Sequence, residues 1–430
     1  ALPIFFLFLI NGKSQSLYFP PVSGNVWDTL SPSSLNWCPN KIDSLYSYLD
    51  SNNSVSFILL KDGKIVLEKY FGTHTISSPW YWASAGKTIT AFMTGIAQQE
   101  GYLSILDTTA KYLGNGWTSC LPTKEEKITI RNQLTMTTGL DDGVANNDCT
   151  IDTCLVYKSD AGTRWAYHNA PYTLLDSVIE VATGTTLNGY TTQKLKNPIG
   201  MFGLFVKSGY NNVYYSDSRS MARFALLMLN KGNWNGNQIM TDTSYFHAMT
   251  HTSQNLNNAY GYLWWLNGSS SYMVPGLQTT FPGTLYPNAP SDMITAVGTN
   301  AQCLIVVPSQ KLVWIRMGNA PAGGTVPFVL IDKIWDYINA MNCNSVGISD
   351  LDLDDVVKIY PNPATTHIQI ETNFPIESIE IYNYCGSVVK FSSDLIHENK
   401  LSLANLPSGI YTIKISISSK IFIKKFQITY

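Results

Sequence analysis

The stretch "NSVGISDLDLDDV", residues 344–356, divides the chain into two parts that cannot share one architecture. Small and acidic residues replace the apolar runs there, which is the composition of a linker, placed at residues 346–355. Beyond it, "VVKIYPNPATTHIQIET", "IESIEIYNYCGSVVKF" and "GIYTIKISISSKIFIKKFQIT" alternate apolar and polar residues in short runs. A period of two puts one face of each run in a core, so residues 356–430 are expected to form a small all-β sandwich domain. The lysines of "KIFIKKF" then belong to an exposed strand face. A chain of 430 residues suits one large domain plus such an appendage.

The larger part, residues 17–345, mixes both periods. Ile42, Leu45, Tyr46 and Leu49 have helical spacing, and "VSFILLKDGKIVLEKYF" reads as a hairpin around an Asp-Gly turn. A second helical face, Ile89, Phe92, Met93, Ile96 and Ala97, stops at Gly101. From there to Gly209 the chain is mainly helical with long loops, giving a helical subdomain at about residues 88–210. "SRSMARFALLMLNKG" is another amphipathic helix, "DMITAVG", "CLIVVPS" and "KLVWIRMG" are strands, and "VPFVLIDKIWDYINAM" closes the region as a helix. The order predicts an α+β fold, an antiparallel sheet flanked by helices with a helical subdomain.

A net charge of −2 and the absence of a basic block with interleaved aromatics exclude nucleic acid as the expected partner. The opening "ALPIFFLFLINGKSQS" carries an apolar core at residues 2–10, too short for a membrane span but right for the h-region of an export signal. Residues 1–16 are therefore expected to be a truncated signal peptide, and no other run is apolar enough to be transmembrane. Export permits disulfides, and seven cysteines leave at least one unpaired within the chain. "DCTIDTC" can close a small loop between Cys149 and Cys154. No Cys-x-x-Cys occurs, and "FHAMTH" (His247, His251) lacks the glutamate of a zinc-protease motif, so no metal site is expected.

Serine and lysine stand three apart twice, as Ser84 and Lys87 in "YWASAGKTIT" and as Ser387 and Lys390 in "GSVVK". On a helix, positions i and i+3 share a face; on a strand they point to opposite sides. Ser84 opens a helix, where unpaired N–H groups favour developing negative charge, although a serine there can equally be an N-cap. A serine hydroxyl needs a base to act as nucleophile, and Lys87 can serve only if burial keeps it neutral. Tyr-x-Asn recurs several times, but only Tyr167 and Asn169 lie in the helical region.

Taken in order, Ser84-Ala85-Gly86-Lys87, "LTMTTGLDDG", "GTRWAYHN" and the late "AVGTNAQCLIVVPSQKLVWIRMGN" resemble the serine β-lactamase/penicillin-binding superfamily, in its class C β-lactamase, esterase and aminohexanoate-oligomer hydrolase branch. The resemblance covers roughly residues 30–342. It implies Ser84 as acylated nucleophile, Lys87 as general base, Tyr167 as proton shuttle and Asn169 as a group that holds Lys87 and contacts substrate. It also implies an oxyanion hole from the backbone N–H groups of Ser84 and Thr299, beside Gly298. No metal or organic cofactor is required. The late strand departs from the family, because Ala296-Val297-Gly298 stands where Lys-Thr-Gly or His-Thr-Gly is usual. The missing cation weakens carboxylate-bearing substrates by roughly 1.5–3 kcal/mol.

A secreted esterase or amidase acting on a small-molecule ester, amide or peptide-like substrate is therefore expected. The rivals are a β-lactamase or D-amino-acid peptidase, and a non-catalytic surface binding protein. Trp82, His168, Trp265 and Asn300 are the candidate pocket residues, while Asp141 and Asp142 read as Asx-turn residues. The tail, about residues 356–430, resembles the C-terminal sorting domain of type IX secretion substrates in Bacteroidota. That implies passage through the periplasm to the cell surface or medium, with the type IX machinery as partner.

Overall fold

The computed structural model describes residues 17–343, 357–372, 374–383, 387–392, 400–417 and 420–429. The export signal and the linker expected from the sequence lie outside the described residues. The chain forms two compact units, Ala1–Cys343 and Asn344–Tyr430.

In the larger unit, helix α1 (Pro39–Ser51) leads into strands β1 (Ser54–Lys61) and β2 (Lys64–Tyr70). Their turn puts Asp62 and Gly63 at φ 51° and 83°, the left-handed pair that a two-residue hairpin needs. A side chain at Gly63 would bring its Cβ within 1.9 Å of the Tyr18 carbonyl oxygen, so only glycine fits. Strands β3 (Ile294–Gly298), β4 (Gln302–Val307) and β5 (Leu312–Gly318) complete the sheet with the short edge strand Trp265–Leu266. The spatial order is β2, β1, β5, β4, β3, edge strand, and every pairing is antiparallel. Strands β4 and β5 are buried along their whole length, which is why they read as unbroken apolar runs.

Helix α2 (Lys87–Gln99) buries its first eleven residues, Lys87 through Ala97. Helix α3 (Asn169–Thr183) packs beside it, and helix α4 (Ser218–Leu229) lies against β4 and β5. Phe92 and Phe224 meet edge to face 5.8 Å apart, tying α2 to α4. Each such fully buried ring contributes roughly 1.5–3 kcal/mol of apolar burial. The helical region is less purely helical than its sequence suggests, because strand Leu204–Ser208 pairs with Asn211–Ser216 and, through it, with Trp80–Tyr81. A disulfide joins Cys38 to Cys343, 305 positions apart, and clamps the ends of this unit.

The tail unit is all β. One sheet holds Lys358–Tyr360, His367–Glu371 and Lys400–Ser402; the other holds four strands, among them Ile376–Tyr382 and Gly409–Ile417. Alternate residues such as Tyr411, Ile413, Ile415 and Ile417 are buried with Ile368 and Ile370 of the first sheet in one cluster.

Candidate active site

Ser84 sits in the 3₁₀ turn Ala83–Gly86 that feeds α2, and not in the α-helix itself. In a 3₁₀ turn, side chains at i and i+3 eclipse, which brings Ser84 and Lys87 together more directly than an α-helix does. The Lys87 Nζ donates to Ser84 Oγ at 2.6 Å. No side-chain cap is made at the start of either segment, so Ser84 is not an N-cap. The preceding Ala83 holds φ 47°, a left-handed conformation costly for a residue with a Cβ. That strain sits beside the serine hydroxyl.

Lys87 is only 3% exposed. Burial pushes its ammonium down to about 7, against a smaller upward pull from the Asp148 carboxylate. The rings of Tyr167 and Tyr172 lie 4.9 and 4.1 Å from its Nζ. Burial likewise pushes the Tyr167 hydroxyl up to about 12, partly offset by its hydrogen bond with Ser84. The Tyr167 ring stacks on Trp265 at 5.9 Å and is flanked by Trp165 and Tyr260.

Asn169, the first residue of α3, corrects one expectation. Its Nδ2 donates to Asp148 Oδ1 at 2.7 Å instead of its amide holding Lys87, and its Oδ1 is buried without a partner. A carboxylate only accepts, so Asp148 draws the amide hydrogens to itself. Directly after Asp148, Cys149 is disulfide-bonded to Cys154.

Ser84, Tyr167 and Asn169 line a cavity of about 440 Å³ with Gly298, Thr299 and Trp265. Gly298 runs tight against the serine turn: a Cβ there would meet the Trp82 carbonyl oxygen at 2.4 Å and the Ser84 amide nitrogen at 3.0 Å. Only a residue without a side chain lets β3 approach the Ser84 amide this closely. Ala296 is buried and apolar, and Val297 faces the cavity.

Three expected pocket residues lie elsewhere. Trp82 is fully buried, donating from Nε1 to Ser216 Oγ at 2.8 Å and packing edge to face on Tyr214. A large aromatic beside the nucleophile was the more useful core residue. His168 is buried with both ring nitrogens unpartnered, and burial pushes it down to about 4. Strand-like alternation turns it away from the face shared by Tyr167 and Asn169. Asn300 takes φ 62° in the turn after β3 and donates to the Tyr81 hydroxyl at 2.7 Å.

Asp148 was not singled out from sequence, and Asp142 was read only as an Asx-turn residue. Asp141 makes the expected Asx turn to the Gly143 amide. Asp142 instead lines the cavity and accepts from Arg164 Nη2 at 2.5 Å. The Arg164 in "GTRWAYHN", 22 positions on, offered the one available signal, a cation that can pair with a carboxylate. Among the described residues, no group of three or more His, Cys, Asp or Glu side chains is placed to hold a metal ion.

With this geometry in place, comparison with known proteins is informative. Residues 47–336 match the family model described as Beta-lactamase, well over half of the chain. The chain belongs to the β-lactamase family.

Its fold recurs in a Bacillus anthracis protein assigned as a 6-aminohexanoate-dimer hydrolase, at 18% identity and a TM-score of 0.55, covering 76% of this chain and 88% of that one. It recurs in a Bacteroides dorei protein assigned as a β-lactamase, at 16% identity and a TM-score of 0.54, covering 70% and 99%. EstCE1, a hydrolase with promiscuous acyltransferase activity, matches at 10% identity and a TM-score of 0.52, covering 71% and 99%. At such identities the likeness shows the fold alone. Among curated proteins none matches the sequence. Residues 358–429 match the secretion system C-terminal sorting domain, the address of type IX export to the cell surface or beyond. Among the described residues no helix is long and apolar enough to cross a membrane.

Proposed function

We propose that this β-lactamase-family member is a secreted serine hydrolase that cleaves an ester or amide through an acyl-enzyme on Ser84. The observation that carries the reading is the 2.6 Å hydrogen bond from a buried lysine to the serine hydroxyl. With Lys87 pushed down to about 7, a large fraction is neutral at physiological pH and able to take the Ser84 proton.

As Ser84 Oγ attacks the carbonyl carbon, its proton passes to Lys87 Nζ. The oxyanion gathers against the backbone N–H groups of Ser84 and Thr299, on either side of the Gly298 approach. Tyr167, with a hydroxyl held protonated by burial, delivers a proton to the leaving alcohol or amine. Deacylation reverses these roles, with water as the nucleophile.

Asp142 is the charged side chain among the residues around the cavity, and Ala296 supplies no cation there. This favours neutral esters and amides over substrates anchored by a carboxylate. The test is intact-mass detection of acyl-enzyme across aryl esters, amides and a chromogenic cephalosporin, with Ser84→Ala as control. Adducts from esters or amides support the reading, and cephalosporin turnover alone makes it a β-lactamase. A chain that takes up neither these nor a fluorophosphonate at Ser84 is a binding protein.

A further inference from the structure

Asp148 holds a position that the proposed chemistry has not used. It is a half-buried loop residue next to Cys149, whose disulfide to Cys154 closes the loop across five positions. Its Oδ1 takes the Asn169 amide hydrogen at 2.7 Å, and Asn169 shares the cavity wall with Ser84 and Tyr167. Because a carboxylate cannot donate, this bond fixes which end of the amide faces the loop. The Asn169 Oδ1 is thereby turned the other way, buried and without a partner.

Lys87 lies in the same cluster. From its own turn it meets Ser84; from the segment before α3 it meets Tyr167, and from α3 the Tyr172 ring. Asp176, the next carboxylate on α3, is engaged by Thr90 and Asn212 instead. Asp148 is the acidic group whose charge acts on Lys87, opposing the effect of burial. Asp142 and Asp141, and after them Asp148, bear on His168.

We propose that Asp148 is a positioning residue for this site: its carboxylate fixes the amide of Asn169 in the wall shared with Ser84 and Tyr167, and its charge acts on the base, Lys87. The inference rests on the reading of Ser84 and Lys87 given above. Without the carboxylate, the one negative charge that favours the ammonium form is gone, and Lys87 becomes neutral at lower pH. A merely structural loop residue has no such effect on a titration.

The experiment is the pH dependence of Ser84 labelling by a fluorophosphonate, on the full chain, with no natural substrate needed. The wild-type rate is expected to rise through a limb set by Lys87. Asp148→Asn is expected to move that limb down by about one pH unit, while Asp148→Glu keeps it near the wild-type position. Asp148→Ser removes the charge by a second route should the first variant not fold. A limb unmoved in the charge-free variant overturns the inference, whatever happens to the plateau rate. A wild-type chain that is not labelled at Ser84 overturns the reading of the site, and the inference with it.

Discussion

Ser84-x-x-Lys87 and Ser387-x-x-Lys390 have the same spacing and opposite fates. In the first, Ser84 lies half-buried in a 3₁₀ turn and the buried Lys87 opens the helix that follows, with Nζ on Oγ at 2.6 Å. In the second, Ser387 is exposed just before the strand Val388–Ser392, and Lys390 reaches past it to the Ser402 carbonyl oxygen at 2.5 Å. Spacing supplies an opportunity, and backbone period decides whether it is taken. Burial then changes the chemistry: Lys87, enclosed by two tyrosine rings, is pushed down to about 7 by the loss of water around it.

The largest expected effect comes from the nucleophile itself. Ser84→Ala should lower hydrolysis of a responsive ester by roughly 10³-fold or more, as loss of a nucleophile does in other serine hydrolases. Ser387→Ala should leave the rate unchanged. Steady-state kinetics of the two variants side by side check both, and equal losses would break the comparison at its root.

Lys87→Met should cost roughly 10²–10⁴-fold in kcat, the range for a lost general base. It should also remove the rise in rate between about pH 6 and 8 that follows Lys87 becoming neutral around 7. Stability should move the other way. A lysine whose folded-state value is pushed down from 10.5 opposes folding, fully below about pH 7 and less as pH rises from there toward 10.5. Lys87→Met should therefore melt at higher temperature than wild type, with the gap widest below pH 7 and narrowing above it. Thermal melts at pH 6 and pH 9 test the sign.

Gly298→Ala probes the backbone around the same serine. The added methyl meets the Trp82 carbonyl oxygen at 2.4 Å, so β3 must retreat from the Ser84 turn. Losing one oxyanion donor in this way should cost about 10²-fold in kcat with a smaller change in KM. A rate close to wild type would detach the oxyanion role from β3.

Much of this was legible because it is local or ordered. The Asp-Gly hairpin follows from turn chemistry, the buried strands β4 and β5 from unbroken apolar runs, and the tail's alternation from a period of two. Ser84, Lys87 and Tyr167 stood out through the order of their motifs, and the structure brings them together. What sequence could not show depends on long-range packing. Cys38 and Cys343 pair across 305 positions, a distance at which spacing carries no signal. Trp82 and Trp265 look alike in sequence, yet the first donates to Ser216 in the core and the second stacks on Tyr167 at the cavity. Asp148 sits in an irregular loop, where only the fold reveals that its carboxylate meets Asn169.

The smallest expected effect is the sharpest test of the opening comparison. Lys390→Met removes a cation three residues from a serine, the same formal change as Lys87→Met. Here, however, the side chain is partly exposed and its bond to the Ser402 carbonyl oxygen can be replaced by water. Stability should shift by less than about 0.5 kcal/mol, as for most surface substitutions. Hydrolysis and its pH profile should match wild type. If Lys390→Met altered either, the tail would be contributing to the chemistry, and backbone period and burial would no longer account for the contrast between the two pairs.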